Sequence, residues 1–285
     1  MTRLFQLLAR LPLSWMQRLG WCLGWLVWVL SPTYRRHFKR NVKAADVAWP
    51  EARPAVGATG VMLAELPWLW MRPHHQTLQN LIRWDGAEHL ESALAQGRGV
   101  IVMSPHIGCW EVGAQAIAER FGPRFGSLVA MFRPARKAWL EPLVAQARNR
   151  PYLETVPTSL SGVRTLMRTL RGGGYTAILP DQVPPQGQGV WAPFFGRPVY
   201  TMTLVAKLAQ QSGALVLLSW CERLAPGEGY CIHMQPWDVP AFRHPDTSPE
   251  EAALAINQAV EHLVRSAPGQ YLWGYARDKQ PREGL

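Results

Sequence analysis

Cysteine, lysine and charge are all scarce in this chain. Its 285 residues include 4 cysteines, at positions 22, 109, 221 and 231, and no two form a Cys-x-x-Cys pair. They are few for a secreted disulfide scaffold and read as reduced thiols in a cytosolic setting. Charged residues make up 18% and hydrophobic residues 48%, which excludes a wholly disordered chain. No repeat or low-complexity segment is present, so a solenoid is excluded. Long apolar runs are missing too. The charge-free stretch LGWCLGWLVWVL at 19–30 has twelve residues, short of the roughly 17–20 that a membrane span needs. Ser104 stands outside any Gly-x-Ser-x-Gly elbow, which argues against a serine hydrolase.

Arginine and tryptophan fill the gap. Of 30 basic residues 25 are Arg, and the net charge is +10. Guanidinium groups bind phosphate and carboxylate in a bidentate fork, so the partners implied are anionic. The basic residues are dispersed and no nucleic-acid reading motif accompanies them, which turns the reading away from DNA and RNA. Tryptophan, with 14 copies, favours boundaries between apolar and polar surroundings. Trp15, Trp21, Trp25 and Trp28 cluster in the apolar N-terminus, and Arg35, Arg36, Lys39, Arg40 and Lys43 follow directly. No small-x-small cleavage site closes the apolar run, so it is not read as a signal peptide. The expected organisation is a membrane anchor or interfacial helix at 1–32 and a single domain at 33–285.

Residues 33–80 read as amphipathic helices broken at Pro54, Pro67 and Pro73. Beyond residue 81 short apolar runs alternate with helical patterns. Strands are expected at 99–104, 127–132, 175–179, 214–220 and 230–234, with helices at 108–121, 136–150, 160–170, 201–212 and 249–266. That alternation implies an α/β fold, a central mixed sheet flanked by helices.

Chemistry-bearing residues fall just past the strands, where α/β sheets bind ligands. The 99–104 strand runs into Ser104-Pro105-His106-Ile107-Gly108-Cys109-Trp110-Glu111. His106 precedes a helix and Glu111 lies in its first turns, so the turn between them brings the carboxylate within reach of the imidazole. A carboxylate on one ring nitrogen fixes the tautomer and leaves the other nitrogen as a base. Arg133 follows the next strand, placed to hold a phosphate or a developing oxyanion. Asp181 and Gln182 follow another, leading into a Gly/Pro-rich loop at 183–189. Phe194 and Phe195 beyond it are candidates for the wall of a hydrocarbon slot.

In this order and spacing, His-x4-Glu, Arg133-Pro134, Asp181-Gln182 and Val190-Trp191-Ala192-Pro193-Phe194-Phe195-Gly196 resemble the late acyltransferases of lipid A biosynthesis. These lauroyl/myristoyl enzymes belong to the broader lysophospholipid acyltransferase superfamily. The resemblance covers most of the chain, including 36–44, 201–214 and Tyr271-Leu272-Trp273. It implies transfer of a fatty acyl group from acyl carrier protein to a hydroxyl of a lipid A precursor, at the cytoplasmic face of the bacterial inner membrane, without metal or other cofactor. It implies catalytic roles for His106, Glu111 and Arg133, and substrate contacts by Asp181 and the basic C-terminal residues Arg277 and Lys279. Departures lie near the C-terminus, where Asp278 takes a usually aromatic place. The Phe-Pro-Glu-Gly-Thr-Arg block of glycerol-phosphate acyltransferases is absent, which argues against a small phosphorylated glycerol acceptor. Two alternatives remain: another acceptor, such as a different glycolipid or a polyene lipid, and a non-catalytic membrane-surface lipid binder.

Overall fold

Proline sets where the N-terminal helices begin. A computed structural model describes residues 2–132, 144, 150–244 and 246–283. It opens with α1 (Thr2–Leu8), α2 (Leu13–Leu30), α3 (Pro32–Ala44), α4 (Trp49–Ala52), α5 (Pro54–Ala64) and α6 (Leu66–Trp70). Helices α3 to α6 each carry Pro in their first two positions, where a missing N–H costs nothing and the fixed φ suits a helix start. Ser31 adds a side-chain cap at the start of α3.

Strands and helices then alternate: β1 (Ile82–Asp85), α7 (Ala87–Ala95), β2 (Val100–Met103), α8 (Trp110–Phe125), β3 (Leu128–Phe132), β4 (Leu153–Pro157), α9 (Leu160–Arg171) and β5 (Tyr175–Ile178). A hairpin follows, β6 (Gly189–Phe194) and β7 (Arg197–Met202), then α10 (Leu204–Ser212), β8 (Leu215–Arg223), β9 (Tyr230–Pro236) and α11 (Pro249–Ser266). Seven strands form one sheet in the order β1-β9-β8-β2-β5-β3-β4, and β6-β7 form a separate ribbon. Strands β8, β2, β5, β3 and β4 run parallel, while β9 is antiparallel to β8 and parallel to β1. The expected mixed sheet flanked by helices is therefore present. Strand β2 lies inside the sheet and is buried on both faces. Val100 and Val102 join one apolar cluster, and Ile101 and Met103 join the other.

The expected strands at 99–104, 127–132, 175–179, 214–220 and 230–234 overlap β2, β3, β5, β8 and β9. The helix expected at 136–150 lies, apart from residues 144 and 150, outside the described residues, as does Arg133. The helix expected from Thr201 begins at Leu204, because Thr201 and Met202 end β7. Strands β1 and β4 were not expected. Both are short edge strands.

Helix α2 packs along α5 at very short range. A Cβ on Gly60 would stand 2.1 Å from the Gly20 carbonyl oxygen, and one on Gly24 would stand 2.3 Å from that of Val56. Only glycine lets these backbones approach so closely. No described helix is long and apolar enough to cross a membrane. The opposite face of α2 is nevertheless apolar and open: Trp15 is 65% exposed, Leu26 51% and Leu30 70%. Trp25 and Trp28 turn inward instead of outward, with Trp28 edge-on to Phe38 at 5.2 Å. Arg35 donates to the Trp28 and Val29 carbonyls at the end of α2, while Arg36, Lys39, Arg40 and Lys43 stand exposed on α3.

Candidate active site

Strand register explains how the site assembles. Strands β2 and β5 are neighbours, and Met103 pairs with Ile178. Each strand then continues through one residue and a proline to a polar side chain, His106 on one and Asp181 on the other. The Ser104 N–H still donates to the Ile178 carbonyl at 3.1 Å, which keeps the two extensions side by side. His106 and Asp181, 75 residues apart in sequence, therefore meet at one sheet edge.

Asp181 grips His106 twice. One carboxylate oxygen accepts from Nδ1–H at 2.7 Å and the other from the His106 backbone N–H at 2.9 Å. With Nδ1 carrying the proton, Nε2 keeps its lone pair and accepts from the Gln182 amide at 3.0 Å. Trp110 lies edge-on to the imidazole, with ring centroids 4.6 Å apart. The carboxylate on the imidazole is thus Asp181, and not Glu111 as the spacing suggested. Both ring nitrogens are already taken up by the β5 extension. Glu111, in the first turn of α8, lines the same cleft.

Asp181 is almost fully buried, at 3% exposure. Burial alone would raise its pKa. The charge of His106, the two hydrogen bonds from His106 and the nearby Arg277 guanidinium outweigh that and hold the carboxyl below its ordinary value. Asp181 is therefore an anion at neutral pH, able to stabilise an imidazolium beside it. Burial, with the Asp181 charge beside it, raises the pKa of the Tyr271 phenol well above the ordinary value.

The turn after His106 requires glycine. Gly108 has φ +60, and a Cβ there would lie 1.9 Å from the Cys221 carbonyl oxygen. The Gly108 N–H donates to the Gln270 carbonyl at 3.0 Å and the Cys109 N–H to Cys221 at 2.8 Å. These bonds tie the loop to β8 and to the C-terminal segment.

His106, Glu111 and Gln182 face a cleft of about 700 Å³, well inside the range of ligand pockets. Its walls are mainly apolar, with Met131, Leu153, Val163, Ile178, Leu179, Met202 and Leu204. Pro184, Pro185 and Gly187 of the Gly/Pro-rich loop close one side.

Four expected substrate contacts are placed elsewhere. Phe194 and Phe195 are buried in the core, not in the cleft, with the Arg277 guanidinium 5.6 Å above the Phe194 ring and Arg265 5.1 Å from Phe195. Phe195, with φ +46, and Gly196, with φ +70, form the tight turn between β6 and β7. Arg277 is 3% exposed and donates to the Tyr200 carbonyl, Thr201 Oγ1 and Asn257 Oδ1. It joins β7 to α11 and does not line the cleft. Lys279 is half-buried, with its ammonium 4.4 Å above the Tyr275 ring. Tyr275 in turn accepts from the Val183 N–H at 3.0 Å, at the start of the cleft loop.

A strand-end histidine facing an apolar cleft has the chemistry that acyl transfer needs. The chain belongs to the bacterial lipid A biosynthesis acyltransferase family, whose sequence profile matches residues 2–279. It is 26% identical over 292 residues to a lipid A biosynthesis lauroyltransferase of Escherichia coli, covering 98% of this chain and 90% of that one. It is 29% identical over 196 residues to a lipid A biosynthesis acyltransferase of Haemophilus influenzae, covering 69% of this chain and 58% of that one. A phosphatidylinositol mannoside acyltransferase of Mycobacterium tuberculosis is 28% identical over 152 residues, covering 52% of this chain and 46% of that one.

Proposed function

We propose that this protein transfers a fatty acyl group from acyl carrier protein to a hydroxyl of a lipid A precursor at the cytoplasmic face of the bacterial inner membrane. The observation that carries this reading is the Asp181–His106 pair, whose Nε2, held by Gln182, belongs to a ring that lines an apolar cleft. His106 Nε2 takes the proton of the acceptor hydroxyl, and the alkoxide oxygen attacks the thioester carbonyl carbon. The C–O bond forms, the C–S bond breaks, and the imidazolium returns its proton to the leaving thiolate. Gln182 must release Nε2 for the hydroxyl to enter. Glu111, on the cleft wall, acts on the same hydroxyl or on the developing charge. The net charge of +10 suits an acidic carrier and a phosphorylated acceptor.

The test is a transfer assay with carrier protein loaded with C10 to C16 chains and a lipid A precursor, read by mass spectrometry. One added acyl chain, absent with His106→Ala, is the expected result. No added mass with any donor would overturn the reading. The mannoside-enzyme relative favours a second reading, a different glycolipid acceptor, and the same assay with a mannosylated phospholipid decides between them.

Membrane attachment rests on the open apolar face of α2 beside the exposed basic residues of α3. Deleting residues 1–30 would also uncover α5, so point changes are the cleaner test. The variant Trp15→Glu with Leu26→Glu and Leu30→Glu is expected to stop floating with anionic vesicles while keeping its circular dichroism. Flotation equal to wild type would remove α2 from the attachment.

A further inference from the structure

A second cluster of reactive side chains lies away from His106, on one face of the sheet where β8, β9 and β1 adjoin. Antiparallel register sets Trp220 opposite His233 and Glu222 opposite Cys231, and parallel register sets Asp85 beside His233. All five side chains therefore project from the same face. The His233 ring stacks on Trp220, with centroids 4.6 Å apart and planes 14° apart. Its Nδ1 stands 2.8 Å from Asp85 Oδ2, and its Nε2 stands 2.9 Å from Glu222 Oε2. The ligand atoms of Glu222, Cys231 and His233 lie within 4.8 Å of one another.

The count of protons makes this cluster informative. A neutral imidazole has a single N–H, so it can donate to only one of two carboxylates. The other ring nitrogen then points a lone pair at a carboxylate lone pair, a repulsive contact that needs a cation between them. That cation is either a second proton or a metal ion. The presence of a sulfur donor favours the metal. We propose that Glu222, Cys231 and His233 bind a divalent transition metal of the zinc class. Nε2 of His233, a carboxylate oxygen of Glu222 and the Cys231 thiolate are its ligands. Asp85 accepts from Nδ1–H and holds the ring in the metal-binding tautomer, the arrangement that commonly supports histidine ligands. Tetrahedral zinc takes nitrogen, oxygen and sulfur donors together and accepts water in a fourth position. Water has access here, because Glu222 and His233 line a cleft of about 520 Å³ next to the end of α11.

The charge balance agrees. The Asp85 and Glu222 carboxylates face one guanidinium among the described residues beside Cys231, that of Arg83, which lies opposite Cys231 and is exposed. The site is also connected to the His106 loop. Arg223, the residue after Glu222, exchanges backbone bonds with the Gln270 side chain at 2.9 Å, and the Gln270 carbonyl accepts from Gly108 at 3.0 Å. A metal at Glu222 would stiffen the strand end that anchors this loop.

The probe is cobalt(II), titrated into the full-length protein carrying Cys22→Ser, which removes the exposed thiol. The expected result is one cobalt per chain with a thiolate-to-cobalt charge-transfer band, displaced by zinc. Cys231→Ser abolishes the band. Asp85→Asn, at a side chain 72% exposed and so harmless to folding, weakens cobalt binding by about 10–100-fold. Absence of cobalt binding, or a band that survives both Cys231→Ser and His233→Ala, would overturn the proposal and leave His233 as an imidazolium held between two carboxylates.

Discussion

Asp181→Asn is expected to lower kcat for acyl transfer by about 10²–10⁴-fold, the range associated with a positioned general base, with KM for both substrates within about twofold. The carboxylate accepts from both the Nδ1–H and the backbone N–H of His106. An amide of the same size presents one acceptor oxygen and one NH₂ donor. It can keep one of the two bonds, and it rewards the tautomer with the proton on Nε2, which is useless as a base. It also removes the negative charge that would stabilise the imidazolium. Because Asp181 is 3% exposed, water cannot take over either task. His106→Ala sets the floor for the comparison, and a double variant measures the coupling: if Asp181 acts through His106, Asp181→Asn costs little more once His106 is gone. Full additivity of the two losses would mean that Asp181 serves the substrate directly. Wild-type kcat in Asp181→Asn would sink the orienting role altogether. Glu111→Gln makes the parallel test, since Glu111 lines the cleft without holding Nδ1.

Much of this site was legible in the sequence, and the part that was not depends on strand adjacency. Gly99 and the apolar run after it announce β2, and the run at 175–178 announces β5, because short β-branched and apolar stretches bounded by glycine fit strands buried on both faces. That placed His106 and Asp181 at strand ends. Nothing local says that β5 lies beside β2 while β3 lies one strand further out. Nearness in sequence therefore favoured Glu111 as the imidazole's partner. A signal was available: Ser104-Pro105-His106 and Leu179-Pro180-Asp181 repeat one pattern, strand, residue, proline, polar group. Two adjacent parallel strands extended alike bring their fourth positions together.

Burial explains the other differences. The resemblance implied a substrate contact for Arg277 as part of the basic C-terminal run, yet its guanidinium is enclosed by Tyr200, Thr201 and Asn257. Phe194 and Phe195 sit on a hairpin whose strands carry Pro193 and Pro198, a pattern that hides strand character from propensity. The hairpin turns both rings into the core. The cleft wall comes instead from two residues each of β3, β4, β5, α9 and α10, with others from α8 and the loops, a set that no sequence window holds together.

The second large effect concerns the buried ion pair that holds α2 and α5 to the sheet. Glu65, 1% exposed at the end of α5, accepts from Gln17 on α2 at 2.8 Å, from Tyr230 on β9 at 2.8 Å, and from Arg223 on β8 at 2.6 and 2.9 Å. Burial alone would raise the Glu65 pKa; the Arg223 charge and the three partners' hydrogen bonds prevail and lower it. Arg223→Met removes the compensating charge and leaves a carboxylate in the interior, so unfolding by urea at neutral pH is expected to show a loss of about 3–5 kcal/mol. Acid reverses the sign. In the wild type the folded pKa lies below the unfolded one, so the contribution of Glu65 is complete above the unfolded value of about 4.3 and is lost as pH falls through the folded value. In Arg223→Met only the Gln17 and Tyr230 hydrogen bonds oppose burial, the folded pKa is expected to rise above the unfolded one, and the variant then gains stability as Glu65 takes up a proton. The gap between the two proteins must therefore narrow on acidification. A gap that stays constant from neutral to acid pH would assign the loss to packing around the lost side chain and not to the stranded charge. Adding Glu65→Gln to Arg223→Met should recover part of the loss at neutral pH, because a neutral amide can still accept from Tyr230 and Gln17. The same variants bear on activity. Arg223 is bracketed by Gln270, whose carbonyl holds Gly108 two residues after His106, so the ion pair is joined to the His106 loop through two hydrogen-bonded links.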